Sequence, residues 1–406
     1  MGNANGPTYN PAMRISTDWR AVLAAAACGV AVAFNVGKVP IAMTELRAEF
    51  GLSLVAAGWM SSMINTLAVC TGLAFGILGD RVGALRTCYA GLAVSILGGV
   101  LGLVAANEGV LLISRFLEGA GQVAIVVSAP ALLTSAAAPT DQRFALGIWS
   151  SYLPAGVGII MLLAPLILPL GGWRGLWLLS LAALAMSALA VRRSEASYAP
   201  RAATPLDESP WRNARLALAQ PAPWLLAFAM MSWTLQHYAL IIWLPTFLKE
   251  QRGLGTLATS LLSCIMVLAN VPGNLIGGSL LQRGWHRGNL IAGASLVTGL
   301  AGAGIFLDGL PDALRYLLCV LLSFVGGLIP ASVLSASAHL AKTPKQIGTL
   351  QGLFMQMGNV GPFIGPPIIA AIVAASGLWR DALWVTGTAA ACGVALGLAL
   401  RRFDRH

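Results

Sequence analysis

The feature that most constrains this chain is a series of apolar runs, each about as long as a bilayer is thick. They fall at about 20–44, 55–79, 86–106, 109–134, 143–169, 173–191, 222–248, 256–281, 288–307, 313–338, 347–374 and 380–400. A helix needs roughly 20 apolar residues to cross the hydrocarbon core. In lipid only helices and closed barrels satisfy their own backbone groups. Composition agrees: 57% of the 406 residues are apolar and only 10% are charged, against about 25% charged in soluble domains. A soluble fold has no means of covering that much apolar surface. Disordered, coiled-coil and ordinary soluble-enzyme classes are thereby excluded. The expected fold is an all-α membrane protein with twelve transmembrane helices.

The longest polar stretch, 192–221, lies near the middle and carries Pro200, Pro205 and Pro210 among eight charged residues. It reads as a cytoplasmic linker between an N-terminal six-helix half, 1–191, and a C-terminal half, 222–406. The halves echo each other. G-G-W-R-G-L-W at 171–177 matches G-L-W-R-D-A-L-W at 377–384, and a Gly/Pro-rich span precedes each. Pseudo-symmetric six-helix repeats of this kind place a binding site at their interface.

Charge sets the orientation. Of the 25 Lys and Arg, seventeen fall in loops and tails on the side of the termini, six on the other side, and Lys38 and Arg115 within spans. Basic loops stay inside, so both termini and the linker are expected in the cytoplasm of a cell whose inner membrane holds the chain. The net charge of +10 is then a topology signal, and no nucleic-acid partner is expected. The N-terminus does not read as a cleaved signal, because its polar tail leads straight into further membrane sequence. The six cysteines are scattered through apolar runs without a C-x-x-C pair and read as packing residues. No Walker A loop, metal-ligand spacing or nucleophile motif is present; the chain reads as a non-enzyme without cofactor or metal.

Between the second and third spans stands G-I-L-G-D-R-V-G-A-L-R, residues 76–86. It resembles the loop signature of the major facilitator superfamily, G-x-L-a-D-r-x-G-r-r, through Gly76, Leu78, Asp80, Arg81, Gly83 and Arg86. With twelve spans and a six-plus-six repeat, the resemblance covers essentially the whole chain. It implies two bundles rocking about a central site by alternating access, with Asp80, Arg81 and Arg86 in a cytoplasmic gating latch and Gly76 and Gly83 allowing close approach. Asp80 also suits a helix N-terminus. The plainer account of Arg81 and Arg86 is positive-inside charge.

Three charges mark the first half. Arg115, Glu118 and Gln122 share a face of the fourth span. Arg115 and Gly119 resemble the family's R-x-x-x-G pattern there. A charge inside a span normally faces the bundle interior, and Glu118 is the one carboxylate placed within a span, hence the proton-coupling candidate. Lys38 stands thirteen residues before Gly51 of E-F-G-L-S. In the superfamily's organic-anion symporters, which this chain resembles, an arginine at that place holds the substrate's negative group. Gly37 and Gln122 stand where those symporters often carry acids, which opens uniport as an alternative. Snorkelling to the interface is the plainer role for Lys38.

The second half offers Gln236, His237 and Tyr238 mid-span, Asn270 and Asn274 four apart, and Gln356 and Asn359 three apart; Tyr152 in the fifth span is similar. All are candidate substrate ligands, with His237 a second proton candidate, against interhelical hydrogen bonding as the plainer role. The fifth span lacks the G-P-x-x-G-G that marks drug/proton antiporters. The expected activity is proton-coupled transport of a small anion by a monomer in the bilayer. The texture of the Gly/Pro-rich spans also resembles the cyanate/nitroimidazole-type branch. Drug or metabolite efflux and a non-transporting membrane sensor are the alternatives.

Overall fold

The computed structural model describes residues 16–78, 83–198, 210–307 and 309–403. Helices long and apolar enough to cross a membrane are α1 (Trp19–Phe50), α2 (Leu54–Phe75), α3 (Ala84–Leu103) and α4 (Glu108–Ala136) in the first part of the chain. A 42-residue helical stretch, Tyr152–Arg193, follows and is broken at Gly172 (φ 54°, ψ −160°). Its arms, 152–171 and 173–193, are α5 and α6. At 1.5 Å per residue the whole stretch is about 63 Å long, twice a bilayer core; the break lets the chain reverse, and it sits at the G-G of the first Trp-Arg repeat. The series continues with α7 (Pro221–Glu250), α8 (Thr256–Gln282), α9 (Arg287–Ile305), α10 (Asp312–Leu340), α11 (Pro344–Ser376) and α12 (Trp379–Leu400).

Boundaries shift in three informative places. The fifth span starts later than hydropathy suggests: Gln142–Ser150 is a separate short helix, and α5 begins at Tyr152. Helix α1 runs on to Phe50, so Glu45 and Glu49 lie on its last turns and Glu118 is not the sole carboxylate on a spanning helix. Within the central linker, Pro210–Leu218 is helical; 199–209 lie outside the described residues.

Packing within each part joins helices both near and distant in sequence. Helix α1 lies along α5 and α4, and α3 along α4. Helix α7 lies along α11 and α12, and α9 along α12 and α10. Without a hydrophobic drive between helices in lipid, small residues and close approach hold them. Gly326 shows the demand, because a Cβ there would enter the Trp233 ring. Across the two parts, α2 packs on α11 and α5 on α8. Proline chemistry assists the first contact. Pro366 has no N–H to give to the carbonyl four residues back, and that carbonyl, of Pro362, accepts instead from Ser62 Oγ at 3.0 Å.

The apolar core is asymmetric along the membrane normal. At the end away from the termini one cluster draws on both parts, joining Phe34, Ile41 and Met60 with Ile242, Trp243 and Val373. At the end of the termini there are two clusters. One is built from residues 21–198 and the other from 217–400, with Leu73 packed against the second. Two ties cross the closed end: Arg47 Nη1 to Glu250 Oε1 at 2.7 Å and Lys249 Nζ to the Ile41 carbonyl at 3.3 Å.

Candidate functional site

Lys38, Arg115 and Glu118 meet in the first part of the chain, all with side chains 0% exposed. Helix α1 supplies Lys38 and α4 supplies the other two, and Gly119 lets α4 reach the backbone of Ile64 in α2. Lys38 Nζ donates to Glu118 Oε1 at 2.6 Å and to Asn35 Oδ1 at 2.8 Å. Arg115 Nη1 pairs with the other oxygen, Glu118 Oε2. Arg115 Nη2 donates to the Asn35 carbonyl at 2.7 Å and Nε to the Met60 carbonyl at 3.3 Å. The Lys38 ammonium also stands 4.1 Å from the centre of the Trp177 ring of α6, close enough for a cation–π contact. Its head thus turns into the bundle rather than snorkelling to the interface.

One carboxylate therefore serves two cations where no water screens them. Formal bookkeeping leaves the cluster with one positive charge in excess. Donor capacity is in excess too, since Asn35 Nδ2 is buried without a partner. Asn35 was not legible as a functional residue, because a lone Asn in an alanine-rich helix carries no motif. It nonetheless organises both cations, one through its side chain and one through its backbone. Gln122 completes the α4 face, and its Oε1 is likewise buried and unpartnered.

The polar residues of the second part fall into separate groups. His237 Nε2 lies 2.9 Å from Ser323 Oγ of α10, and its ring stacks on Trp233 at 4.8 Å. Asn270 Nδ2 donates to the Ser323 carbonyl at 2.9 Å and receives from Asn274 Nδ2 at 2.7 Å through its own Oδ1. His237, Ser323, Asn270 and Asn274 thus form one chain of contacts across α7, α8 and α10. Ser323, its hinge, gave no signal in sequence. Gln236 turns elsewhere: Nε2 donates to Ser232 on its own helix, while Oε1 is buried and unpartnered. Tyr238 and Tyr152 are half-buried. Two candidates are engaged in packing: Gln356 Oε1 accepts from Leu73 N at 2.8 Å, across the α2–α11 contact, and Asn359 Nδ2 donates to Met355 on its own helix.

Of the loop signature, Asp80 and Arg81 lie outside the described residues. Gly76 is on the last turns of the helix ending at Leu78. Gly83 has φ 91° and precedes α3, a conformation that favours glycine, and Arg86 is exposed on the first turn of α3. The two Trp-Arg repeats diverge in use. Trp173 Nε1 donates to Glu49 at 2.6 Å, with Arg174 bridging the same carboxylate. Trp379 instead packs against Trp243 and Phe247.

Comparison with known proteins agrees with this architecture. A sequence profile described as the Major Facilitator Superfamily matches residues 25–366. The chain is 25% identical over 385 residues to a protein of Cupriavidus necator named "Probable sulfoacetate transporter SauU", covering 89% of this chain and 88% of that one. It is 24% identical over 393 residues to the "Cis,cis-muconate transport protein" of Acinetobacter baylyi, covering 89% and 90%. Among solved structures it is similar to a bacterial homologue of the human lysosomal transporter Spinster in an inward-facing, unoccupied conformation. That match has a TM-score of 0.77 at 16% identity and covers 96% of this chain and 99% of that one.

Proposed function

This chain belongs to the major facilitator superfamily, and from that premise we propose that it moves a small organic anion across the inner membrane, coupled to protons. That it is an integral membrane transporter of small organic solutes, and not an enzyme, follows from family and fold. The choice of an anion rests on one observation, the fully buried Lys38–Glu118–Arg115 cluster with two cations to one carboxylate. An unpaired charge held out of water costs several kcal/mol, and an arriving anion offsets it. The relatives named for sulfoacetate and muconate carry anions too.

Geometry suggests how the proton enters. Both oxygens of Glu118 are occupied by the cations a substrate would need. A proton on Glu118 weakens both pairs and releases Lys38 and Arg115 to the substrate. Loss of the proton returns them. The asymmetric core supports alternating access: one apolar cluster joins both parts at the end away from the termini, while at the other end the two clusters are separate and α2 meets α11 through Leu73 and Gln356. By the excess of basic residues at that end, it faces the cytoplasm, and the conformation is inward-facing. The two parts then act as the rocking halves, 1–191 and 222–406, joined by 192–221.

The test is flux into proteoliposomes with an imposed pH gradient and a panel of small carboxylates and sulfonates. Proton-driven uptake of an anion, abolished in Lys38→Ala, is the expected result. Uptake confined to lipophilic cations would overturn the anion reading in favour of efflux. Anion flux indifferent to the pH gradient would replace symport by uniport.

A further inference from the structure

Besides Glu118 Oε1 and Asn35 Oδ1, the Lys38 ammonium has the face of the Trp177 indole against it, the ring centre 4.1 Å from Nζ. That ring is fixed from two sides. Trp173, itself tied to Glu49, meets it edge to face, with centroids 5.0 Å apart and planes at 83°. Gly102 of α3 leaves room for the indole nitrogen, since a Cβ there would fall 2.4 Å from Trp177 Nε1. Trp177 is fully buried, and its Nε1 has no partner among the described residues. Buried indole nitrogens usually find a partner, and leaving one unpaired costs free energy. A leucine would fill apolar space here without that cost. What the indole adds is a ring face under a cation.

We propose that Trp177 is a positioning residue that keeps the Lys38 ammonium charged and in place while Glu118 carries a proton. This rests on the proton step above and adds what holds Lys38 during it. A proton on Glu118 takes away the counter-ion of Lys38. Arg115 beside it keeps its charge, since a guanidinium does not deprotonate in proteins. A buried ammonium next to a second cation can shed its proton, and a neutral amine no longer attracts an anion. The neighbouring elements supply no second acid at this level among the described residues. Helix α5 presents Val157 and Ile160 beside Gly37, α2 carries no charged residue, and α7 brings Lys249, another cation, to the Ile41 carbonyl three residues on. The next acid on α1, Glu45, is two turns away. The ring quadrupole attracts the ammonium and not the amine, and protonation of Glu118 does not weaken it. Trp177 thus favours the one protonated form of the cluster in which Lys38 still receives an anion.

The chain has four lysines, so proton–carbon magnetic resonance of the purified full chain, labelled with carbon-13 at lysine Cε, resolves Lys38; its signal is the one lost in Lys38→Arg. Glu118→Gln stands in for the protonated acid. In that variant the Lys38 ε-methylene protons should remain displaced upfield by the Trp177 ring current. Adding Trp177→Leu should lower the pH at which Lys38 titrates by about 0.4–1.5 units. Adding Trp177→Phe instead, which keeps a ring face, should leave about half or more of that difference in place. An upfield displacement already lost in Glu118→Gln, or a titration unmoved by Trp177→Leu, overturns the role of Trp177. Should the leucine variant fail to fold, the displacement in Glu118→Gln decides the question alone. No substrate enters this measurement, so a flux panel without anion uptake would sink the anion reading while the titration still judges Trp177.

Discussion

At the scale of single residues, the charged cluster sets up two distinguishable outcomes. Glu118→Gln keeps the shape of the carboxylate but removes its charge and its proton. The expected result is intact substrate exchange without accumulation against a gradient, measured as counterflow beside pH-driven uptake. Accumulation that survives would move the proton site to His237. Asn35→Ala removes the Oδ1 that receives Lys38 and leaves the Glu118 pair in place. Hydrogen bonds to charged groups contribute about 1.5–3 kcal/mol; this one is made without substrate, so the melting temperature should fall, and substrate affinity, read by titration, should fall with the loss of the Lys38 anchor. Charge was the legible part of this site. Lys38, Arg115 and Glu118 stand out because an ion inside an apolar run is expensive. Asn35, Ser323 and Trp177 did not, because uncharged polar and aromatic residues are ordinary in such helices. Only the fold shows that Asn35 touches both cations and that Trp177 lies under the ammonium.

At the scale of elements, the reversal at Gly172 and the ties at the closed end matter most. With φ 54° and ψ −160°, Gly172 occupies backbone space nearly confined to glycine. Gly172→Ala should cost about 1–3 kcal/mol, seen as a lowered thermal midpoint. The Arg47–Glu250 pair is 27% and 32% exposed, so water and salt screen it and its worth is about 0–1 kcal/mol. Arg47→Glu should therefore shift the balance between closed and open forms of that end by no more than about fivefold. Electron–electron resonance between labels on the two halves would report the shift, and the exchange Arg47→Glu with Glu250→Arg should restore it. A larger, unrestored shift would mean that packing rather than charge holds the end shut. Element number was legible from apolar run length. Element ends were not: α1 continues through Glu45 and Glu49 because Trp173 and Arg174 come back to meet Glu49, a long-range contact that local hydropathy cannot register. Likewise Gln356 reads as a pore residue by its place in a span, yet its oxygen caps Leu73 N in the opposing α2.

At the scale of the whole molecule, the basic excess and the core asymmetry make a joint claim. A phosphatase fused after residue 403 should stay inactive in intact cells, since that fusion lies at the end assigned to the cytoplasm; activity there would invert the orientation and make the present form outward-facing. The loop signature and the repeat made the class readable before any helix was placed. The conformation was not readable, because one sequence codes for both ends of a rocking motion and only the distribution of packed side chains tells which end is closed.

The carbonyl of Pro362 carries that motion one step further. Pro366 leaves it without an intrahelical donor, and Ser62 on the opposing α2 fills the role. If α2 and α11 part at this level, the oxygen must find another donor, and a solvent molecule is the one at hand. Opening there is then also a wetting event at a fixed address. Its rate should slow under osmotic stress that lowers water activity, while Ser62→Ala, which leaves the buried oxygen without its donor in the packed form, should favour opening.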